Sequence, residues 1–231
     1  MRVPVAVIAL ALSAVAWGQS QPVTWLILID DLHLQFVETG RLRAVLRAIG
    51  RERALRDGDR CLVRCSGPSC TAGNDPPATC AALAEWRGAS GNGLKEDDQL
   101  RDRSNGNLEE LVYRAETALT IADALLAEAP AGGRSALIYI SNGYLAEARA
   151  ADRLSRLAAA AAAKDVRVFP VTFTRVAYDP RRTPTISRDE WQALMNETAG
   201  SLEILANKTG GRVVPNPLDG GLAAILPLVG K

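Results

Sequence analysis

Along the chain, apolar and polar positions fall into two alternating patterns. The most concentrated apolar run, Val23-Thr24-Trp25-Leu26-Ile27-Leu28-Ile29, stops at Asp30-Asp31 and continues as Leu32-His33-Leu34. A mostly branched run that ends at two carboxylates predicts a buried parallel strand delivering Asp30 and Asp31 into a loop at its carboxyl end. Residues 36–54 then carry Leu42, Val45, Leu46 and Ile49 at helical spacing, with Arg41, Arg43, Arg47, Arg51 and Arg53 between them. This predicts an amphipathic helix with a solvated basic face. An Arg-Asp-Gly-Asp turn at 56–59 leads into a short strand over 60–65. Regular periodicity is lost from 66 to 107, apart from an apolar segment at 81–86.

Helical spacing returns over 108–129 through Leu111, Ala115, Leu119, Ala122 and Leu126, and Gly132-Gly133 closes the segment. A buried strand over 135–141 follows, ending in Asn142-Gly143-Tyr144; then an Ala-rich helix over about 147–164 and a strand over 166–173, whose Pro170 requires an edge or a bulge. Ser187-Arg188-Asp189-Glu190 has the form of a capping box and starts a helix that Gly200 is expected to interrupt before it resumes to Thr209. A short strand at 212–214 and a terminal helix over 218–229 complete the series. Strands alternating with helices predict a doubly wound, Rossmann-like α/β fold, a mostly parallel sheet with helices on both faces.

Composition narrows the picture. The 231 residues are 48% hydrophobic and carry 27 Lys and Arg against 26 Asp and Glu, a net charge of +1. That balance gives no electrostatic reason to expect nucleic acid. Arg2 followed by an apolar stretch over 3–16 and small or polar residues at Gly18, Gln19 and Ser20 reads as a signal peptide over 1–18. The apolar stretch is shorter than the ~20 residues of a bilayer span, so no stable membrane span is expected after cleavage. Residues 19–231 are then one domain of a secreted or periplasmic protein, with an irregular insertion at about 66–107.

Cysteine usage agrees with export. Cys61, Cys65, Cys70 and Cys80 crowd into one stretch, which in an oxidising compartment favours two disulfides over a four-thiolate zinc site. Cys61 and Cys65 would lie ~13 Å apart along an extended strand, too far for a bond between them. Two pairings remain: Cys61–Cys80 with Cys65–Cys70, which is preferred, or Cys61–Cys70 with Cys65–Cys80.

In order and spacing, four features resemble the von Willebrand factor type A (vWA) domain. They are the strand ending in Asp30-Asp31-Leu32-His33-Leu34, the Gly58-Asp59-Arg60 entry to the next strand, the strand ending Ser141-Asn142-Gly143, and the Thr209-Gly210-Gly211-Arg212 approach to the last strand. The likeness runs from about Val23 to Val229 and is nearest to the secreted bacterial vWA-related branch, in which Asp-Asp-x-His often replaces the usual metal motif. It implies a binding face at the strand carboxyl ends and a partner that is another protein or a cell-envelope component.

The resemblance also implies a Mg²⁺ site built from Asp-x-Ser-x-Ser, a separate Thr and a later Asp. Here Asp30 matches the first Asp, Leu32 and Leu34 stand at the Ser positions, Asn142 stands at the later Asp, and no Thr is assigned. The site is therefore degenerate and no cofactor is expected, with Asp30, Asp31 and Asn142 as the ligands should a divalent cation bind. The expected binding face comprises Asp30, Asp31, His33, Asn142 and Tyr144, in the loops after Ile29 and Ile140. His33, the sole histidine, raises two alternatives: a hydrolase using Asp30, Asp31 and His33, or a ring that only fixes its loop. No GxSxG, P-loop or HExxH motif accompanies it. A structural domain without a ligand is the further alternative.

Overall fold

A computed structural model describes residues 22–51, 58–70, 75–94, 99, 106, 108–145, 148–173, 178, 187–215 and 217–219. The signal-like stretch and nearly all of the expected terminal helix lie outside these residues; Pro217–Asp219 form a 3-10 turn. Among the described residues, five strands form one parallel sheet: β1 (Val23–Ile29), β2 (Arg60–Cys65), β3 (Arg134–Ile140), β4 (Arg167–Thr172) and β5 (Val214–Pro215), in the spatial order β2-β1-β3-β4-β5. The helices are α1 (Thr39–Arg51), α2 (Leu108–Ala127), α3 (Ala148–Ala163) and α4 (Arg188–Lys208). The doubly wound α/β expectation is met.

β1 is buried along its whole length because it is flanked by β2 and β3 and covered on both faces. Its alternate side chains divide between two cores. Trp25, Ile27 and Ile29 pack with Leu42, Val45, Leu46 and Ile49 of α1. Leu26 and Leu28 share the opposite core with Leu119 and Leu125 of α2, Leu154 of α3 and Leu205 of α4. At the amino end of β1, the Asp59 carboxylate accepts hydrogen bonds from Val23 N and the Trp25 indole, both at 2.8 Å, and so ties β1 to the entry of β2.

Two local expectations change. The segment beginning at Phe36 opens as a 3-10 turn, Phe36–Glu38, before α1 begins at Thr39. α4 runs unbroken through Gly200, since tertiary packing of Leu194, Leu202 and Leu205 outweighs the ~1 kcal/mol helix penalty of one glycine. Its capping box forms as expected, with Glu190 N donating to Ser187 Oγ at 3.2 Å.

Pro170 is accommodated at an unpaired edge. β5 meets β4 only at Val171 and Thr172. The Val168 N–H points to that outer side, where it donates to Thr209 Oγ1 at 3.0 Å. Alternate residues share this direction, so the donor that proline lacks would have faced the same side, short of β5. The irregular stretch is tied down covalently by Cys61–Cys80 and Cys65–Cys70, with Cα–Cα distances of 5.0 and 5.5 Å. The first bond holds the 3-10 turn Ala81–Ala84 against α1, where Leu83 is buried.

Gly143 sets the exit from β3. Its φ is +77°, and a Cβ there would lie 2.0 Å from the Thr198 carbonyl oxygen of α4. Gly143→Ala is expected to destabilise the fold by about 2 kcal/mol or more, read as a lower urea midpoint with an unchanged slope.

Candidate functional site at the strand carboxyl ends

In a doubly wound sheet, ligands bind where successive connections leave the sheet in opposite directions. Here that point lies between β1 and β3. The registers that place Ile29 opposite both Cys65 and Ile140 also bring together the residues that follow them: Ser66 after β2, Asp30 after β1 and Ser141 after β3. Asp30 N donates to Ile140 O at 2.9 Å, and Ser66 N donates to Ile29 O at 3.0 Å. Three strands thus end on three polar residues in one row.

Asp30 is fully buried. Its Oδ1 accepts from Ser66 Oγ at 2.8 Å, and its Oδ2 from Tyr139 OH at 2.9 Å and Ser141 Oγ at 2.8 Å. His33 Nδ1 lies 2.8 and 2.9 Å from the two oxygens. Burial alone would raise the Asp30 pKa, but the His33 charge and the hydrogen bonds from His33, Ser66 and Ser141 outweigh it and hold the carboxyl below its ordinary value. An ionised carboxylate only accepts, so Nδ1 of His33 carries the proton it donates. The same carboxylate, after burial, pushes the Tyr139 hydroxyl well above its usual pKa.

Asp31, also fully buried, occupies the loop after β2: its Oδ1 accepts from Gly67 N at 2.6 Å and its Oδ2 from Ser69 N at 3.0 Å. The Ser66 hydroxyl is within reach of Asp31 too, at 3.2 Å, although it has one proton to give. Cys65–Cys70 brackets these donors. Asn142 is committed on both sides of its amide. Its Nδ2 donates to Glu38 Oε1 and Oε2, each at 2.7 Å, and its Oδ1 accepts from Phe173 N and Thr172 Oγ1, each at 3.2 Å.

These residues do not fit a divalent cation. Asp30 accepts from Ser66, Tyr139, Ser141 and His33, Asp31 accepts from Gly67 N and Ser69 N, and Asn142 Oδ1 faces the end of β4 rather than the two carboxylates. Among the described residues, no group of three or more His, Cys, Asp or Glu side chains is placed to hold a metal.

Of the five expected face residues, Asp30, Asp31, Asn142 and Tyr144 are buried, and the His33 side chain is 7% exposed. Tyr144 is drawn inward because Gly143 turns the chain and Tyr144 N donates to Ser201 Oγ of α4 at 3.2 Å. Its ring packs on His33 at 5.2 Å, and its hydroxyl has no hydrogen-bond partner among the described residues. The pocket that His33 and Tyr144 line has room of about 10 Å³, roughly that of one water molecule. A hydrolase would need a substrate-sized pocket with His33 exposed in it.

Two surface features accompany this interior. Phe36 and Val37 are 75% and 78% exposed on the turn after β1. That turn is fixed from below by Glu38, which is buried, bound to Asn142, and accepts from Gln35 N at 2.8 Å. Beside Asn142, a cleft of about 260 Å³ opens between α4 and the ends of β3 and β4. Sequence reading missed Ser66, Tyr139, Ser141 and Glu38. A signal was present for Ser141, the first polar residue after the apolar run of β3, as Asp30 is after β1; Ser66 follows a strand that carries two arginines and had no such signal.

No protein-family model matches this sequence, and no curated protein matches it. Among solved structures, the chain is similar to the crystal structure of the human COPII-coat protein Sec24c, with a TM-score of 0.45 and 12% identity. The match covers 91% of this chain and 33% of that one, so the chain spans about a third of that structure's length. A likeness at this level carries no functional argument. The two disulfides fit an extracellular or periplasmic location, and no helix among the described residues is long and apolar enough to cross a membrane.

Two outcomes test the interior. Tyr139→Phe removes a donor to a buried charge and is expected to cost about 1–3 kcal/mol, whereas Tyr144→Phe removes a hydroxyl with no partner among the described residues and is expected not to destabilise; urea melts of both variants make the comparison. Because the folded Asp30 pKa is depressed, its contribution is complete above the unfolded value of about 3.9 and is lost as pH falls through the folded pKa. Asp30→Asn is therefore expected to be less stable than wild type by about 3–5 kcal/mol at neutral pH, with the gap narrowing in melts below about pH 4.

Proposed function

We propose that this chain is an exported, divergent vWA-like binding module. It engages another protein, or a protein component of the cell envelope, through the carboxyl-end face of its sheet. The observation that carries this reading is the Phe36–Val37 pair. Large apolar side chains scattered singly over a surface need no explanation, but here an aromatic and a β-branched residue stand side by side at the end of the sheet where ligands bind. They sit on a turn whose base is locked by the Glu38–Asn142 hydrogen bonds. Rigid aromatic anchors dominate protein-interface energetics, and holding them in place beforehand lowers the entropy lost on binding.

Asp30, Asp31 and His33 then act beneath the contact surface. They hold the strand ends and the turn in register and do not themselves touch the partner. Strand order, and the placement of Asp30 and Asn142 at neighbouring strand ends, support the vWA-like assignment. Export is supported by the paired cysteines together with the signal-like stretch at 1–18.

The test is quantitative binding of an envelope protein retained on immobilised wild-type chain. Phe36→Ser with Val37→Ser is expected to weaken that complex by about thirtyfold, the effect of losing a hot spot of ~2 kcal/mol, at an unchanged melting temperature. Equal affinity for wild type and the double variant overturns the reading.

A further inference from the structure

We propose that the outer flank of α1 binds an extended acidic segment of a protein partner, through a stripe formed by Arg43, Arg47, Arg51 and Arg87. The inference rests on the binding reading above in taking the partner to be a protein; the charge of the stripe is argued independently.

The helix is one-sided in charge. Its 13 residues include Arg41, Arg43, Arg47 and Arg51 and no acid, in a chain whose net charge is +1. Leu42, Val45, Leu46 and Ile49 turn into the core, so the arginines lie outside that apolar face. Arg43, Arg47 and Arg51 follow one another at i, i+4 and share a flank, about 6 Å apart along the axis.

A second segment brings in Arg87. Arg43 Nε donates to Ala89 O at 2.9 Å, and Arg51 Nη2 lies 3.6 Å from Glu85 Oε1. Residues 85–89 therefore run antiparallel beside the stripe, and Arg87, midway between those two contacts, comes level with Arg47. Trp86 packs against the core, and Arg87 next to it is exposed. Neither Arg47 nor Arg87 has an acidic partner among the described residues, and Glu85 is the sole acid of segments 39–51 and 81–89.

Like charges at i, i+4 repel, so the fold leaves this stripe uncompensated, and carboxylates would relieve it. Their spacing fits: alternate residues of an extended chain lie about 6.6 Å apart, close to the arginine repeat, and a planar guanidinium matches a carboxylate at two points. The stripe also adjoins the exposed apolar pair. Gly91, two residues past Ala89, donates its N–H to Thr39 Oγ1 at 3.1 Å, and Thr39 directly follows the Phe36–Glu38 turn. Apolar anchor and cationic flank thus form one surface, an arrangement of hydrophobic contact and polar rim.

Titration of the ¹⁵N-labelled full chain at low ionic strength tests this. The probe is acetyl-Glu-Ser-Glu-Ser-Glu-amide; its glutamine counterpart, inorganic phosphate and phosphatidylglycerol vesicles are the comparisons. The glutamate peptide is expected to shift the amides of residues 40–51 and 85–89 saturably, and the glutamine peptide is not. Arg47→Gln with Arg87→Gln is expected to weaken binding about fivefold, as for two exposed charge pairs, without lowering the melting temperature. Arg156→Gln with Arg212→Gln removes the same charge from exposed positions elsewhere and is expected to leave binding unchanged. The proposal is overturned if the glutamate peptide causes no saturable shift, if the glutamine peptide or phosphate binds as tightly, or if both arginine pairs weaken binding equally. Retention on the vesicles without a peptide shift overturns it in favour of a lipid surface. The Phe36→Ser, Val37→Ser variant is expected to bind the glutamate peptide as wild type does. Failure here therefore leaves the result for that pair standing, and failure of that pair leaves this one.

Discussion

A single buried carboxylate holds the carboxyl end of this sheet together. Asp30 sits where three strands finish, with no access to water, and an ionised group in that position is tolerable only if protein donors replace its hydration. The donors come from four places: His33 in the loop after β1, Ser66 at the end of β2, Tyr139 within β3 and Ser141 at its end. Satisfying one charge therefore fixes the relative positions of three neighbouring strands. Asp31 extends the arrangement into the loop closed by Cys65–Cys70, so a covalent bond and an ionic network hold the same few residues.

This interior also shows where the chain departs from the metal pattern that its sequence resemblance implies. That pattern needs hydroxyl oxygens at positions 32 and 34. Both are leucines, and both are buried, so the segment that would have turned oxygen toward a cation turns hydrocarbon into the core instead. His33, between them, faces Asp30 and donates a hydrogen bond from Nδ1 to its carboxylate. The Asp30 carboxylate is thus satisfied by protein donors, and the surface above carries apolar groups: Phe36 and Val37 on their turn, and the walls of the cleft beside Asn142. Asn142 links the two, since one side of its amide holds Glu38 under the turn and the other holds the end of β4.

Much of the fold was legible because it depends on periodicity. The apolar run over 23–29, the helical spacing of Leu42, Val45, Leu46 and Ile49, and the Ser187–Glu190 cap each carry their own local signal, and each forms as read. The misreadings arose where a distant contact outweighed a local preference. Gly200 does not break α4 because the helix is held by its buried leucines. Tyr144, which reads as a contact aromatic after a strand end, is pulled inside by the turn at Gly143 and by Ser201, more than fifty residues away in sequence.

The sequence by itself determined the alternation of strands and helices, the two carboxylates at the end of β1, and a short set of possible cysteine pairings, since these follow from spacing and from the reach of an extended chain. Only the tertiary structure decided what the carboxylates do. Whether an aspartate faces solvent, a metal or a histidine depends on strand register and on donors that lie 36 and 111 residues away from it, Ser66 and Ser141. No local pattern encodes that convergence; it exists once β2, β1 and β3 lie side by side.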